Sequence, residues 1–209
     1  MTDRDGGRMP RTLADLCDIQ IGLVVRPEEF REVGVPVVGA RDLVGHRLTR
    51  VPERHLDPDG RRPGRDYRLS AGDVLLTRSG TVGRVALVTE AEQGWLNGPH
   101  LIRLRVRDPA AVDSAYLVAY LSAPATQRWF QRVATGSAVQ HVSLRMLGQL
   151  SVRLPPPAEQ HEVGRMLAAL DDKVRAHEEV VRATRALRGA LADLLTSGDA
   201  PDDGIASSR

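Results

Sequence analysis

The chain has 209 residues, 42% hydrophobic and 27% charged, enough for one core of ordinary size plus an appendage or for two small domains. No apolar stretch approaches the roughly 18 residues of a membrane span, and the first ten residues are polar, so neither anchor nor signal peptide is expected. A lone Cys17 excludes an internal disulfide framework and fits a buried structural thiol in a reducing, cytoplasmic setting. Net charge is only +2, yet residues 71–157 carry nine Arg or Lys against five acids, and Lys173 is the chain's single lysine. A biased genome accounts for that preference without any function. Arg also supplies the planar fork that matches phosphate and guanine.

Residues 1–10 read as a flexible N-terminus. Thr12 is placed to cap a short helix through Leu16 and Cys17, and Ile19 to Val25 then reads as a strand. Val35-Pro36-Val37-Val38-Gly39 is a second strand, with Pro36 putting it at an edge or at a strand start. From Ala40 to Arg68 the Gly, Pro, Asp and Arg residues cluster without periodicity, including Pro58-Asp59-Gly60 and Arg61-Arg62-Pro63-Gly64, and predict an exposed loop region. Leu69 to Thr77 is a turn followed by a buried strand, Gly83 to Val88 is the next strand, and Leu101 to Val106 alternates like a half-exposed one. That alternation puts Arg103, Arg105 and Arg107 on one face, a solvated one in preference to a phosphate-contacting one.

Asp113 or Ser114 can cap a helix from Ala115 to Ser122, and Pro124 starts another through about Ala134, with Trp129 and Phe130 as core. Thr135 to Ser143 is a polar loop before a short helix ending near Gly148, and Gln149 to Leu154 makes a last strand. Pro155-Pro156-Pro157 ends it and pre-sets a helix start, with Glu159 and Glu162 on the first turns. That helix, residues 158–195, spans about 57 Å at about 1.5 Å per residue, longer than a small domain needs. Val163, Leu167, Leu170, Val174 and Val181, with His177 and Thr184 in the same seam, follow a four-three spacing that makes a narrow coiled-coil stripe. Leu187, Leu191 and Leu194 continue it after a slip. The alternative is a solitary helix folded back on its own domain. Residues 196–209 have no pattern and read as a disordered tail.

Several chemistries lack their residues. No G-x-x-x-x-G-K-[ST] loop is present, Gly80-Thr81-Val82-Gly83 lacks a third glycine for a dinucleotide fingerprint, and Thr77-Arg78-Ser79-Gly80-Thr81 lacks the flanking glycine of a serine-hydrolase elbow. The lysine lies in Asp171-Asp172-Lys173 on the long helix, not among strand carboxylates as a two-metal nuclease needs. His46, His55, His100, His141, His161 and His177 fall at no metal-ligand spacing, so no metal site is expected. Catalysis by this chain alone is not expected.

Three segments in order, Leu75 to Arg84 (Leu-Leu-Thr-Arg-Ser-Gly-Thr-Val-Gly-Arg), Thr135 to Gln140 (Thr-Gly-Ser-Ala-Val-Gln), and Leu154-Pro155-Pro156-Pro157-Ala158-Glu159-Gln160 leading to Leu170-Asp171-Asp172-Lys173-Val174, resemble the DNA-specificity (S) subunit of type I restriction-modification systems. The resemblance covers about residues 11 to 195. It implies an α+β fold: a mixed or antiparallel-sheet target-recognition domain at residues 11–157, then a coiled-coil-forming spacer helix at residues 158–195. Full-length members carry two of each, and this chain has one, like a half-subunit.

What the resemblance implies about function follows from that plan. The chain would be a non-catalytic subunit that binds double-stranded DNA and directs a modification (methyltransferase) subunit, with a restriction subunit joining for cleavage; S-adenosylmethionine and ATP would belong to those partners, not to this chain. DNA contact is expected from Arg41, Arg47, Arg78, Ser79, Gly80, Thr81, Arg84, Gly136, Ser137, Gln140 and His141. Arg forks suit guanine and Gln140 suits adenine, while Gly80, Gly83 and Gly136 would let backbone approach phosphate. For Gly80 and Gly83 a simple hairpin turn between two strands is the preferred reading. Val163, Leu167, Leu170, Val174, His177, Val181, Thr184, Leu187, Leu191 and Leu194 would meet a second copy, antiparallel about a two-fold axis, or another half-subunit. An adaptor or decoy that binds protein, and a DNA-binding regulator without a methyltransferase, are the competing readings.

Overall fold

The structure, a computed structural model, describes residues 11–48, 51–57, 66–134 and 141–196. The N-terminal ten residues, the Pro58 to Gly64 cluster, Thr135 to Gln140 and the tail from residue 197 lie outside these.

The chain divides into two units, residues 1–168 and 169–209. The first opens with β1 (Arg11–Thr12) and α1 (Leu13–Leu16), started by a reciprocal cap in which the Asp15 carboxylate accepts from both the Thr12 N–H and its hydroxyl at 2.8 Å. Those two bonds hold the Asp15 carboxyl below its usual range. β2 (Cys17–Ile21), β3 (Val35–Val38), β4 (Leu43–Val44), β5 (Arg47–Leu48), β6 (His55–Leu56), β7 (Val74–Thr77), β8 (Val85–Leu87), β9 (Leu96–Asn97) and β10 (Leu101–Val106) follow. Then come α2 (Ser114–Ser122), α3 (Pro124–Ala134), α4 (Leu144–Gly148), β11 (Ser151–Val152) and α5 (Pro157–Thr196).

The organising layer is an antiparallel four-stranded sheet in the order β2-β10-β7-β8. Its alternation sends Val74, Leu76, Val85, Ile102 and Leu104 to one side, where they pack with Cys17, Leu117, Leu121, Phe130 and Leu147. Leu75, Ala86 and Leu101 point to the other, against Val38, Leu43, Leu48, Leu69 and Val88. A sheet apolar on both faces explains why β7 reads as a continuous buried run. A three-stranded sheet, β6-β3-β9, has β3 antiparallel to β6 and parallel to β9, so the fold is α+β with mixed and antiparallel pairing as expected. Pro36 sits at the start of β3, in the half that pairs only with β6.

α2 is capped by Asp113, whose carboxylate accepts from the Tyr116 N–H at 2.9 Å, and α3 begins at Pro124 as the sequence indicates. Phe130 is fully buried and Trp129 packs edge-on against it. The thiol of buried Cys17 is pushed up to about 12 by desolvation.

Four expectations are corrected. β2 runs from Cys17 to Ile21, not from Ile19 to Val25, because after Ile21 the Gly22 and Leu23 N–H groups turn to the carbonyls of Leu101 and Asn97 and the chain peels away from the ladder. The stretch from Ala40 to Arg68 is not simply exposed loop: its described part holds β4, β5 and β6, with Leu43, Leu48 and Leu56 buried. Two-residue strands are too short to show alternation. The last strand is only Ser151–Val152, paired with Arg11–Thr12.

The fourth correction concerns Arg103 and Arg105, which are not on a solvated face. β10 is flanked by β2 and β7, and Arg103 is 3% exposed, donating to the Asp66 and Arg68 carbonyls and approaching Asp18 at 3.5 Å. Desolvation lowers its pKa. Arg105 grips both carboxylate oxygens of buried Asp73 at 2.7 Å, and that bond raises its pKa. These cations hold the fold together. Arg107 alone of the three is exposed.

α5 begins in the first unit, and its residues from Ala169 onward belong to the second. Its first turns are anchored by Gln160, 1% exposed, whose side chain accepts from the Asp113 N–H and donates to the Ala111 and Pro155 carbonyls. At Gly164 a Cβ would lie 2.8 Å from the Tyr116 nitrogen, so only glycine permits that approach to the start of α2.

Candidate nucleic-acid interface

The connection between β7 and β8 carries most of the described DNA-contact candidates, and its shape comes from Thr77. The Thr77 N–H donates to the Arg84 carbonyl, and its buried hydroxyl accepts from the Arg84 N–H at 2.9 Å and donates to the Thr81 carbonyl. The loop Arg78 to Gly83 is thereby pinched at its base. Gly80 has φ 76° and Gly83 φ 92°, both in the left-handed region. A Cβ on Gly83 would press on Phe130 at 3.0 Å, whereas one on Gly80 would meet nothing within 4 Å. Gly83 therefore turns the hairpin against the core, and Gly80 leaves bare backbone at an exposed tip beside exposed Thr81.

The base of this loop is tied to two other segments. The Arg78 N–H donates to the His100 carbonyl at 2.7 Å, the Val142 N–H to the Arg78 carbonyl at 3.0 Å, and Arg78 Nε to the Val142 carbonyl at 3.2 Å. Ser79 forms a single antiparallel bridge with His141, and its Oγ lies 2.8 Å from Nδ1 of His100. Arg78, Ser79 and His141, nominated separately from sequence, are thus brought together. Gly80, Thr81 and Arg84 lie on the same loop, and Arg84 is exposed. Gly136, Ser137 and Gln140 lie outside the described residues.

Arg41 and Arg47 stand elsewhere. Arg41 is exposed on a short 3-10 turn, Ala40–Asp42, closed by the Gly39 N–H to the Asp42 carboxylate. Arg47 is half-buried on β5, and the intervening turn is tied to the far end of β8 by the Leu87 N–H donating to the His46 carbonyl. His100 was missed as a candidate. Its signal was Asn97-Gly98-Pro99, a turn sequence that delivers the following residue to a surface corner.

The candidate seam residues Val163, Leu167, Leu170, Val174, Val181, Leu187, Leu191 and Leu194 are all exposed, as are His177 and Thr184. The Thr184 hydroxyl donates to the Val180 carbonyl of its own helix at 2.8 Å. Among the described residues no cluster of His, Cys, Asp and Glu could hold a metal, and no helix is long and apolar enough to cross a membrane.

Comparison with known proteins agrees with this architecture. The chain is 20% identical over 193 residues to a protein named for the specificity subunit of the type I restriction enzyme MjaX of Methanocaldococcus jannaschii, covering 90% of this chain and 45% of that one. In structure it is similar to the type I restriction-modification S subunit from M. genitalium, with TM-score 0.65 and 18% identity over 96% of this chain and 48% of the other. It is also similar to the HsdS subunit from Thermoanaerobacter tengcongensis, with TM-score 0.60 and 20% identity over 85% and 42%. The chain thus spans about half the length of these relatives. Residues 7–181 match the family described as the type I restriction modification DNA specificity domain. The chain belongs to that family of non-catalytic specificity subunits.

Proposed function

We propose that this chain is a sequence-specific DNA-recognition subunit that directs a partner adenine methyltransferase, and a restriction subunit for cleavage, to a bipartite site. The observation that carries this reading is the match of residues 7–181 to the specificity-domain family, in a first unit where Arg78, Ser79 and His141 converge beside an exposed glycine loop. Such donors suit phosphate oxygens and the guanine edge.

Pairing through α5 supplies the second half-site. Its seam leaves Leu170 57% and Val174 56% exposed, as a helix awaiting a partner would. A second copy in antiparallel two-fold pairing covers it and presents two identical reading surfaces, giving an inverted repeat with a gap set by helix length. Beside the first part of the seam, exposed Met166 and Val180 lie at multiples of seven residues from Leu187 and Leu194, the positions to which the seam slips. A stripe that wide exceeds what one partner helix covers and suits a helix of the modification subunit.

The test is binding of a specific duplex by the chain together with its modification subunit. The logarithm of the affinity is expected to fall with log salt at about −0.9 per neutralised phosphate. Salt-insensitive binding, or none in the presence of that subunit, supports the protein-binding adaptor instead.

A further inference from the structure

His100 occupies an unusual place. It sits immediately before β10 with φ 65°, a left-handed conformation unfavourable for a non-glycine residue, although histidine adopts it more readily than most. Two bonds hold it there: its carbonyl accepts from the Arg78 N–H at 2.7 Å, and its Nδ1 faces Ser79 Oγ at 2.8 Å. The residue is nevertheless exposed. A surface imidazole held in a strained corner, with one ring nitrogen bonded into the loop, is oriented for contact more than for packing.

We propose that His100 is a DNA-contact residue that presents Nε2–H to an acceptor on the duplex, a phosphate oxygen or the guanine edge. The inference rests on the DNA-recognition reading above. In this assignment the Ser79 hydroxyl donates to Nδ1 and the ring proton sits on Nε2. Ser79 thereby becomes a positioning residue: it fixes the ring while its backbone bridges His141 on the neighbouring segment. Arg78, whose Nε donates to the Val142 carbonyl, is half-buried at the same loop base. The corner thus brings three separate segments together, at Arg78–Ser79, His100 and His141, around the His100 ring.

The variants are His100→Gly and His100→Asn, both of which tolerate the left-handed backbone and lack the ring. Each is titrated, with the modification subunit, against a duplex carrying the site found by sequencing methylated adenines and against a random-sequence duplex of equal length. A base contact lowers affinity for the site about 10-fold and leaves the random duplex unchanged. A phosphate contact lowers both by one factor and leaves the salt slope unchanged, because an uncharged Nε2–H releases no counterion. Ser79→Ala should reproduce part of either loss. Wild-type affinity in both His100 variants, or a loss that merely tracks the folded fraction, overturns the assignment and leaves the DNA-recognition reading intact. Failure of the wild type to bind either duplex overturns that reading and this inference with it.

Discussion

Replacing Gln160 by leucine removes the side chain that fastens the first turns of α5 to the recognition unit. Three groups lose a partner: the Asp113 N–H at 3.0 Å, the Ala111 carbonyl at 3.0 Å and the Pro155 carbonyl at 2.8 Å. Gln160 is 1% exposed, so leucine of similar volume seals the site and water cannot easily replace the amide. At about 1 kcal/mol for each net hydrogen bond, the expected loss is about 3 kcal/mol. Urea denaturation followed by the fluorescence of Trp95 and Trp129 reads it directly. Glu159→Gln, one residue away and exposed, serves as the control and should cost only the helix-dipole contribution of a first-turn carboxylate, about 0.5 kcal/mol. A Gln160→Leu midpoint within about 0.5 kcal/mol of wild type would refute the reasoning, because unpartnered buried groups could not then be so inexpensive.

Arginine at both Leu170 and Val174 should dissociate a paired form while the urea midpoint of the recognition unit stays put; sedimentation showing unchanged mass would remove the pairing proposal. Arg105→Met strands the Asp73 carboxylate, which is 1% exposed, and should cost about 3 kcal/mol in urea denaturation, with an effect under 1 kcal/mol contradicting the clamp. Because burial pushes the Cys17 thiol up to about 12, the thiolate is scarce at pH 8. Alkylation by iodoacetamide at that pH should be negligible in the native protein and rapid in 8 M urea (about that concentration suffices for a small domain), and rapid native labelling would place the thiol at the surface.

The elements legible in the sequence were those whose signal is local. Asp113, Pro124 and the proline run before α5 each mark a helix start through backbone chemistry that needs no distant partner. β7 was legible because both faces of its sheet are apolar. Arg103 and Arg105 were misread for a non-local reason: alternation shows that they share a face, but not that the Asp66–Arg68 backbone and Asp73 cover it. The short strands of the Ala40–Arg68 stretch owe their burial to single leucines, too few to make a pattern. At the candidate interface, Arg78 and Ser79 were visible through their glycine-flanked motif and His141 through the polar loop before α4. The junction that joins them to His100 depends on pairing between residues 21 and 62 positions apart in the chain, which no periodicity records.

The most direct measurement is long-read sequencing of methylated adenines in cells that express a type I modification subunit with or without this chain. The account predicts methylation at one bipartite inverted-repeat sequence that appears only when the chain is present and is lost in the Leu170→Arg, Val174→Arg variant. A methylation pattern indifferent to the chain would contradict it.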